Sequence, residues 1–245
     1  MCQISDLVSS DPAFCSEVLA IANSAAIPHR FPVTSILQGV ALLGTQNLKG
    51  LCLTVAVRGY LGKSIAHAIL RDIWVHCLAT GLIAQQLVLV GVIDNDTAYT
   101  AGLLHEMGRL ALGVVSPEEY GRLLETHHGS PESILRLESE MFGFDHRELG
   151  QHLAAEWGLP AELGEVLSRK IPFGRSDSRL NLAGLVDMSS RMADAAGFPA
   201  FRGCEKAPYQ ELLKELSVLE RNRFYSDISD LAFTIGKQIS LIDAL

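Results

Sequence analysis

The chain has 245 residues, 48% of them hydrophobic, with 28 acidic against 20 basic side chains and a formal net charge of -8. That is ample apolar material for a core in one large domain or two small ones, and it excludes a disordered chain. Phosphate-driven binding to nucleic acid is also disfavoured, because such binding needs a concentrated basic face and no run of Lys or Arg exceeds a pair.

The cysteines, Cys2, Cys15, Cys52, Cys77 and Cys204, are odd in number, widely spaced and without a CxxC pair. They read as reduced thiols in apolar helices, neither a disulfide framework nor a zinc site. The longest apolar stretch, near Leu82 to Ile93, is interrupted by Gln85 and Gln86 and stopped by Asp94, short of the roughly 20 residues a membrane span needs. No signal-peptide pattern opens the chain, so the expected compartment is the cytoplasm.

In chain order, Asp11-Pro12 predicts a helix start whose apolar face is Phe14, Val18, Ile21 and Ala22. After a loop with Pro28 and Pro32, Thr34 or Ser35 caps a helix that exits at Gly44, and Thr45 caps the next. Ser64 to Val90 reads as a longer helix with a bend near Gly81 and His76 pointing inward. Asp96 then caps an almost wholly apolar helix over Ala98 to Leu112, on which Ala101, His105, Gly108 and Leu112 share a side. A helix so apolar belongs inside the protein.

Ser116-Pro117-Glu118-Glu119 has the residues of a capping box, and Ser130-Pro131 starts a helix buried through Ile134, Leu137 and Met141. Asp145 with Glu148 makes a second box, followed by a Leu149, Leu153, Trp157 stripe. After a break at Ile171 to Gly174, Asp177 or Ser178 opens a helix carrying Leu182, Leu185, Met188, Met192 and Ala196. Phe198 to Ala207 is the best linker candidate. One helix with Leu212, Leu216 and Leu219, and another capped by Ser226 with Ile228, Leu231, Ile235, Ile239 and Ile242, complete the chain. No stretch alternates as a strand does, so the expected class is all-α.

A buried His-acid pair, His105-Glu106, has two readings. One is a metal or catalytic site; the other is a core histidine whose nitrogens meet a backbone carbonyl and a carboxylate or another histidine. Gly102 and Gly108 read as points of close helix approach, since no Gly-rich phosphate loop accompanies them. His127-His128 suits a helix C-terminus, Trp74 and Trp157 are expected core anchors, and Arg169-Lys170, Arg221 and Arg223 solvated charges. Ser24, Cys77 and Ser116 have no base at nucleophile-supporting spacing.

An ordered set of motifs goes further: Asp11-Pro12, Ala22-Asn23-Ser24, Ala41-Leu42-Leu43-Gly44, Trp74-Val75-His76, Ala101-Gly102-Leu103-Leu104-His105-Glu106-Met107-Gly108, Phe142-Gly143-Phe144-Asp145-His146 with Gly150, and Trp157-Gly158-Leu159-Pro160. Over roughly residues 1 to 197 the sequence resembles the HDOD family, the HD-related output domains of bacterial signalling proteins. The resemblance implies an HDOD-like domain over 1–197, made of an N-terminal helical bundle (1–62) packed on an HD-like core (63–197). A C-terminal helical extension (198–245) lies on or near that core.

The resemblance also implies where a metal site would lie. In active HD enzymes a first histidine, a His-Asp pair and a later aspartate bind metal. Those places fall here at His76, His105-Glu106 and Ser190, with Asp187 one turn earlier as the alternative for the last. His146 matches a histidine of many HD-GYP proteins, but the paired histidines and GYP signature expected further on are absent near Ser168-Arg169-Lys170. With an anionic ligand gone, the expectation is a degenerate site with no metal or cofactor. The chain is then a non-catalytic regulatory module acting through protein partners, without nucleic acid or membrane, and its C-terminal helices could support a homodimer. The alternatives are a metal-dependent HD-type phosphohydrolase or cyclic-dinucleotide phosphodiesterase, and a nucleotide binder without hydrolysis.

Overall fold

The computed structural model describes residues 18–19, 22–23, 32–88, 93–127, 131–168, 181–201 and 206–243, with the backbone alone at 43, 45–49, 131 and 243. The expectations at Asp11-Pro12, Ser24, His128, Ser130, Arg169-Lys170, 171–174 and Asp177 or Ser178, and at Cys2, Cys15 and Cys204, lie outside the described residues. Within the described residues every regular element is helical, as the absence of strand alternation predicts. No helix among them is long and apolar enough to cross a membrane.

The fold divides into two compact units, Met1–Tyr60 with Thr234–Leu245, and Leu61–Phe233. In the smaller one, Ser35 Oγ accepts from Gln38 N–H at 3.2 Å. It opens α1 (Ile36–Leu61), which kinks at Gly44, where φ is 76° and ψ 159°. Only glycine adopts that conformation without penalty. Asn23 explains itself as part of a motif: its amide donates to the carbonyls of Leu19 and Val33 and accepts from Val33 N–H at 2.7 Å. The C-terminal end of the chain joins this unit, with Arg58 Nη1 donating to the Ile242 carbonyl at 3.3 Å.

The larger unit is built around α2 (Ala68–Leu87), which is buried on nearly every side, through Trp74, His76, Thr80 and Ala84 among others. The helix is uninterrupted at Gly81, which marks a helix crossing. A Cβ built on Gly102 of α3 (Asn95–Leu104) would stand 2.6 Å from Gly81 Cα, so the two backbones touch. α4 (Met107–Val115) meets α7 (His146–Glu156) in the same way: a Cβ on Gly108 would lie 1.8 Å from the His146 carbonyl oxygen. α5 (Pro117–Thr126) packs on α2 and α4. α6 (Pro131–Phe142) precedes α7, and α8 (Ala161–Ser168) lies against it. α9 (Leu182–Ala195), capped by Asn181, covers α2 and α3.

The single helix predicted over Ala98 to Leu112 is two helices. His105 and Glu106 form the turn between them, with Glu106 at φ −106° and ψ 19°. The cause is local: His105 Nδ1 donates to the Gly102 carbonyl at 2.6 Å, the oxygen a continuing helix would offer to the Glu106 N–H. The cap is Asp94 and not Asp96, and its carboxyl sits below the ordinary range because the Thr97 hydroxyl and N–H donate to it.

Other expectations shift for comparable reasons. Ser116 makes no side-chain cap; Pro117 at the first position starts α5 without it. The box at Asp145 and Glu148 forms in full. The buried face of α7 is His146, Gly150 and Ala154, because at Gly150 the backbone of α8 approaches too closely for leucine: a Cβ there would lie 2.6 Å from the Leu167 carbonyl oxygen. Leu149 and Leu153 are therefore half-buried and Trp157 is 43% exposed, whereas Trp74 is fully buried. Met141 is likewise exposed, and Glu138 takes the buried position on α6.

Ser217 and Glu220 form a capping box that splits the predicted Leu212 to Leu219 helix into α10 (Tyr209–Glu215) and α11 (Val218–Arg223). Arg221 is exposed, as a solvated charge would be, and its guanidinium also donates to the Leu213, Lys214 and Leu216 carbonyls at the end of α10. α12 (Ile228–Asp243) starts from Asp227, which accepts from Ser229 N–H at 2.6 Å.

The crossings yield a prediction. Gly108→Ala should destabilise the protein by about 1–3 kcal/mol, the usual cost of forcing bulk into a closed contact. Gly164→Ala, where the nearest atom to a built Cβ is Ala154 Cβ at 3.8 Å, should be neutral or mildly stabilising. Urea unfolding of the two variants checks the contrast.

Candidate functional site

Five helices and one turn bring polar side chains together inside the larger unit. α2 supplies His76, the α3–α4 turn His105 and Glu106, and the first turn of α4 Arg109. Glu138 comes from α6, His146 opens α7, and Ser190 and Asp194 come from α9. All but Asp194 are buried.

The histidine half has fixed tautomers. His105 Nδ1 faces the Gly102 carbonyl at 2.6 Å and His76 Nδ1 the Phe198 carbonyl at 2.7 Å. A carbonyl only accepts, so both Nδ1 atoms carry hydrogen; that assignment follows from the partners. Asp194 Oδ1, 3.3 Å from His76 Nδ1, reinforces it. In the neutral rings both Nε2 atoms then present lone pairs, and they lie 3.3 Å apart. The Ser190 hydroxyl, 3.0 Å from His76 Nε2, donates to one of them.

The acidic half already holds a counter-charge. Arg109 Nε stands 2.9 Å from Glu106 Oε2, and its Nη1 lies 3.7 Å from Glu138 Oε1. The guanidinium rests 5.2 Å from the centre of the Phe201 ring, a cation–π contact. Glu138 accepts from the Tyr120 hydroxyl at 2.7 Å, and from the His146 N–H and Nδ1 at 2.9 and 2.6 Å. Burial pushes the Glu138 carboxyl up, but the His146 bonds and the Arg109 charge outweigh it and hold it below the ordinary value. Burial first, and then Arg109, push His146 below its ordinary value despite Glu138, which leaves it a neutral donor. Burial likewise raises the Tyr120 hydroxyl well above the usual range.

His76, His105 and Glu106 offer ligand atoms all within 4.8 Å of one another, the arrangement a metal would need. The imidazole half fits one: each ring donates its other N–H to a carbonyl, as ligating histidines do. The acidic half does not. The one carboxylate of the trio is paired with Arg109, and Ser190 brings a neutral hydroxyl. Asp187, the alternative for that place, is half-exposed and lies 3.9 Å from Arg191. His146 faces Glu138 and not the histidine pair. A hydrolytic ion needs more negative charge than these donors provide.

Several of these residues escape a reading of the sequence. Arg109 has a signal, a lone arginine in an apolar run, and so has Glu138, one turn after buried Ile134. Phe198 to Phe201 has none, because its composition is that of a linker; in the structure Ala200 and Phe201 are buried and the segment closes over His76 and Arg109. His127 ends α5, its Nε2 3.0 Å from Ser133 Oγ.

The chain matches the HDOD domain family over residues 1–171. An uncharacterised protein of Treponema pallidum (strain Nichols) is 27% identical over 168 residues, 64% of this chain and 31% of that protein. Among solved structures, a provisionally named signal transduction protein from Marinobacter aquaeolei VT8 superposes with a TM-score of 0.71 at 21% identity, over 99% of this chain and 55% of its own. An HDOD domain protein of unknown function from Geobacter sulfurreducens gives 0.68 at 18% identity, over 99% of this chain and 84% of its own. A provisionally named phosphohydrolase from Shewanella amazonensis SB2B gives 0.66 at 23% identity, over the same shares. At these identities the structural likeness establishes the fold. The chain spans about a third of the Treponema protein and about half of the Marinobacter one.

The depressed His146 sets a pH dependence. The unfolded chain takes up this proton at about 6.5 and the folded protein only at lower pH, so acid favours unfolding. The contribution is complete above ~6.5 and declines as pH falls toward the folded value; Glu138 acts in the same direction at lower pH. The melting temperature should therefore fall between about pH 7.5 and 5, and His146→Gln should flatten that fall. An unchanged slope in a folded His146→Gln protein would contradict the assignment.

Proposed function

This chain belongs to the HDOD family, and from that premise we propose that it is a non-catalytic signalling module that regulates partner proteins by contact. The observation that carries the reading is the pairing of Glu106 with Arg109 while Ser190 occupies the last ligand place. What remains is a polar core held by its own hydrogen bonds and ion pairs, and such a core helps to fix a shape. The acidic balance of the chain, -8 in formal charge, supports protein partners over nucleic acid, and the proposed compartment is the cytoplasm.

A second reading, metal-dependent phosphohydrolysis or cyclic-dinucleotide cleavage, draws on the paired Nε2 atoms of His76 and His105. Binding of a nucleotide without turnover is its weaker form. Protein purified without chelator and assayed with manganese, iron and magnesium on cyclic dinucleotides and phosphate esters separates these. The expected result is no turnover, and no heat when cyclic dinucleotides are titrated in. Stoichiometric metal with turnover that His105→Ala abolishes would overturn the non-catalytic reading.

His105→Ala has a structural readout as well. It leaves the Gly102 carbonyl without the hydrogen of His105 Nδ1 and opens a cavity beside His76, so stability should fall by about 2–3 kcal/mol. An unchanged melting temperature would instead mean that the ring faces an open pocket.

A further inference from the structure

We propose that Arg109 is a built-in counter-cation: its guanidinium supplies the positive charge that Glu106 and Glu138 require in the core, and its removal converts His76, His105 and Glu106 into a divalent-cation site. The inference rests on the non-catalytic reading of the same site and says what enforces it.

Three observations carry it. Arg109 is only 4% exposed, Glu106 2% and Glu138 fully buried, so each charge depends on the others being there. The arginine is held at both ends of its reach: Glu106 lies three residues behind it across the helix turn, and the Phe201 ring lies under the guanidinium from the segment that follows α9. Finally, the donor atoms of His76, His105 and Glu106 already converge within 4.8 Å, and both imidazoles are set by carbonyls to offer Nε2. What opposes a second cation there is the fixed charge 2.9 Å from the trio's one carboxylate.

Neutral replacement reverses that balance. Glu106 then lacks its counter-charge beside two imidazole lone pairs, a two-histidine, one-carboxylate donor set of the kind that holds first-row divalent ions, for which Mn2+ serves as the probe. Arg109→Lys keeps the charge and should keep the site closed.

The test is a Mn2+ titration of metal-stripped wild-type protein, Arg109→Met, Arg109→Gln and Arg109→Lys, reading unbound Mn2+ by electron paramagnetic resonance and folding by circular dichroism. Arg109→Met and Arg109→Gln should bind one Mn2+ per chain at least about tenfold more tightly than wild type or Arg109→Lys, given the strength of a charge-assisted pair. Adding His105→Ala to Arg109→Met should abolish the gain. If the neutral variants lose helicity without metal, Mn2+ should restore it.

Wild-type protein that binds Mn2+ as tightly as Arg109→Met overturns the proposal. So does absence of any gain in folded neutral variants, or failure of Mn2+ to refold unfolded ones. Tight wild-type binding without turnover would overturn this inference alone; wild-type turnover would overturn the non-catalytic reading beneath it.

Discussion

One hydrogen bond, from His105 Nδ1 to the Gly102 carbonyl, sets the geometry on which the polar core depends. By taking the acceptor that the next helical N–H would use, the imidazole ends α3 and lets the chain turn before α4 begins. The Glu106 carbonyl then accepts from Leu110 N–H at 3.0 Å and the helix resumes along a new axis. At that turn the His105 ring lies against His76, while Glu106 and Arg109, three residues apart, pair with each other and Arg109 stands 3.7 Å from Glu138.

The two halves of the cluster solve different electrostatic problems. The histidine half is arranged by dipoles: two carbonyls and a serine hydroxyl decide which nitrogen carries hydrogen. The acidic half is arranged by charge, with one guanidinium between two carboxylates and a tyrosine and a histidine donating the remaining hydrogen bonds. The two meet at Glu106.

Much of this fold is legible in the sequence, because helices announce themselves through capping residues and through glycines at crossings. Asp145 with Glu148, the break at Gly44 and the close approaches at Gly102 and Gly108 can all be read residue by residue. The turn at His105 cannot, since periodicity treats histidine as one more position on a face and does not weigh what its ring does to the backbone. The same blindness displaces the buried face of α7, where contact with another backbone and not hydrophobicity decides which residues go inside. Of the site, the histidines come from motif spacing. Arg109, Glu138 and the Phe198 to Phe201 segment come from contacts between residues far apart in the chain, which no window of sequence contains.

The crossing of α4 and α7 bears on how such a chain can drift. Gly108 has no chemistry, yet a single added carbon there meets the carbonyl oxygen of His146 at 1.8 Å. The place of Ser190, by contrast, asks only for a small group that can serve His76. A position without chemistry is thus the more tightly constrained of the two, because the space it leaves sets how closely two backbones can lie.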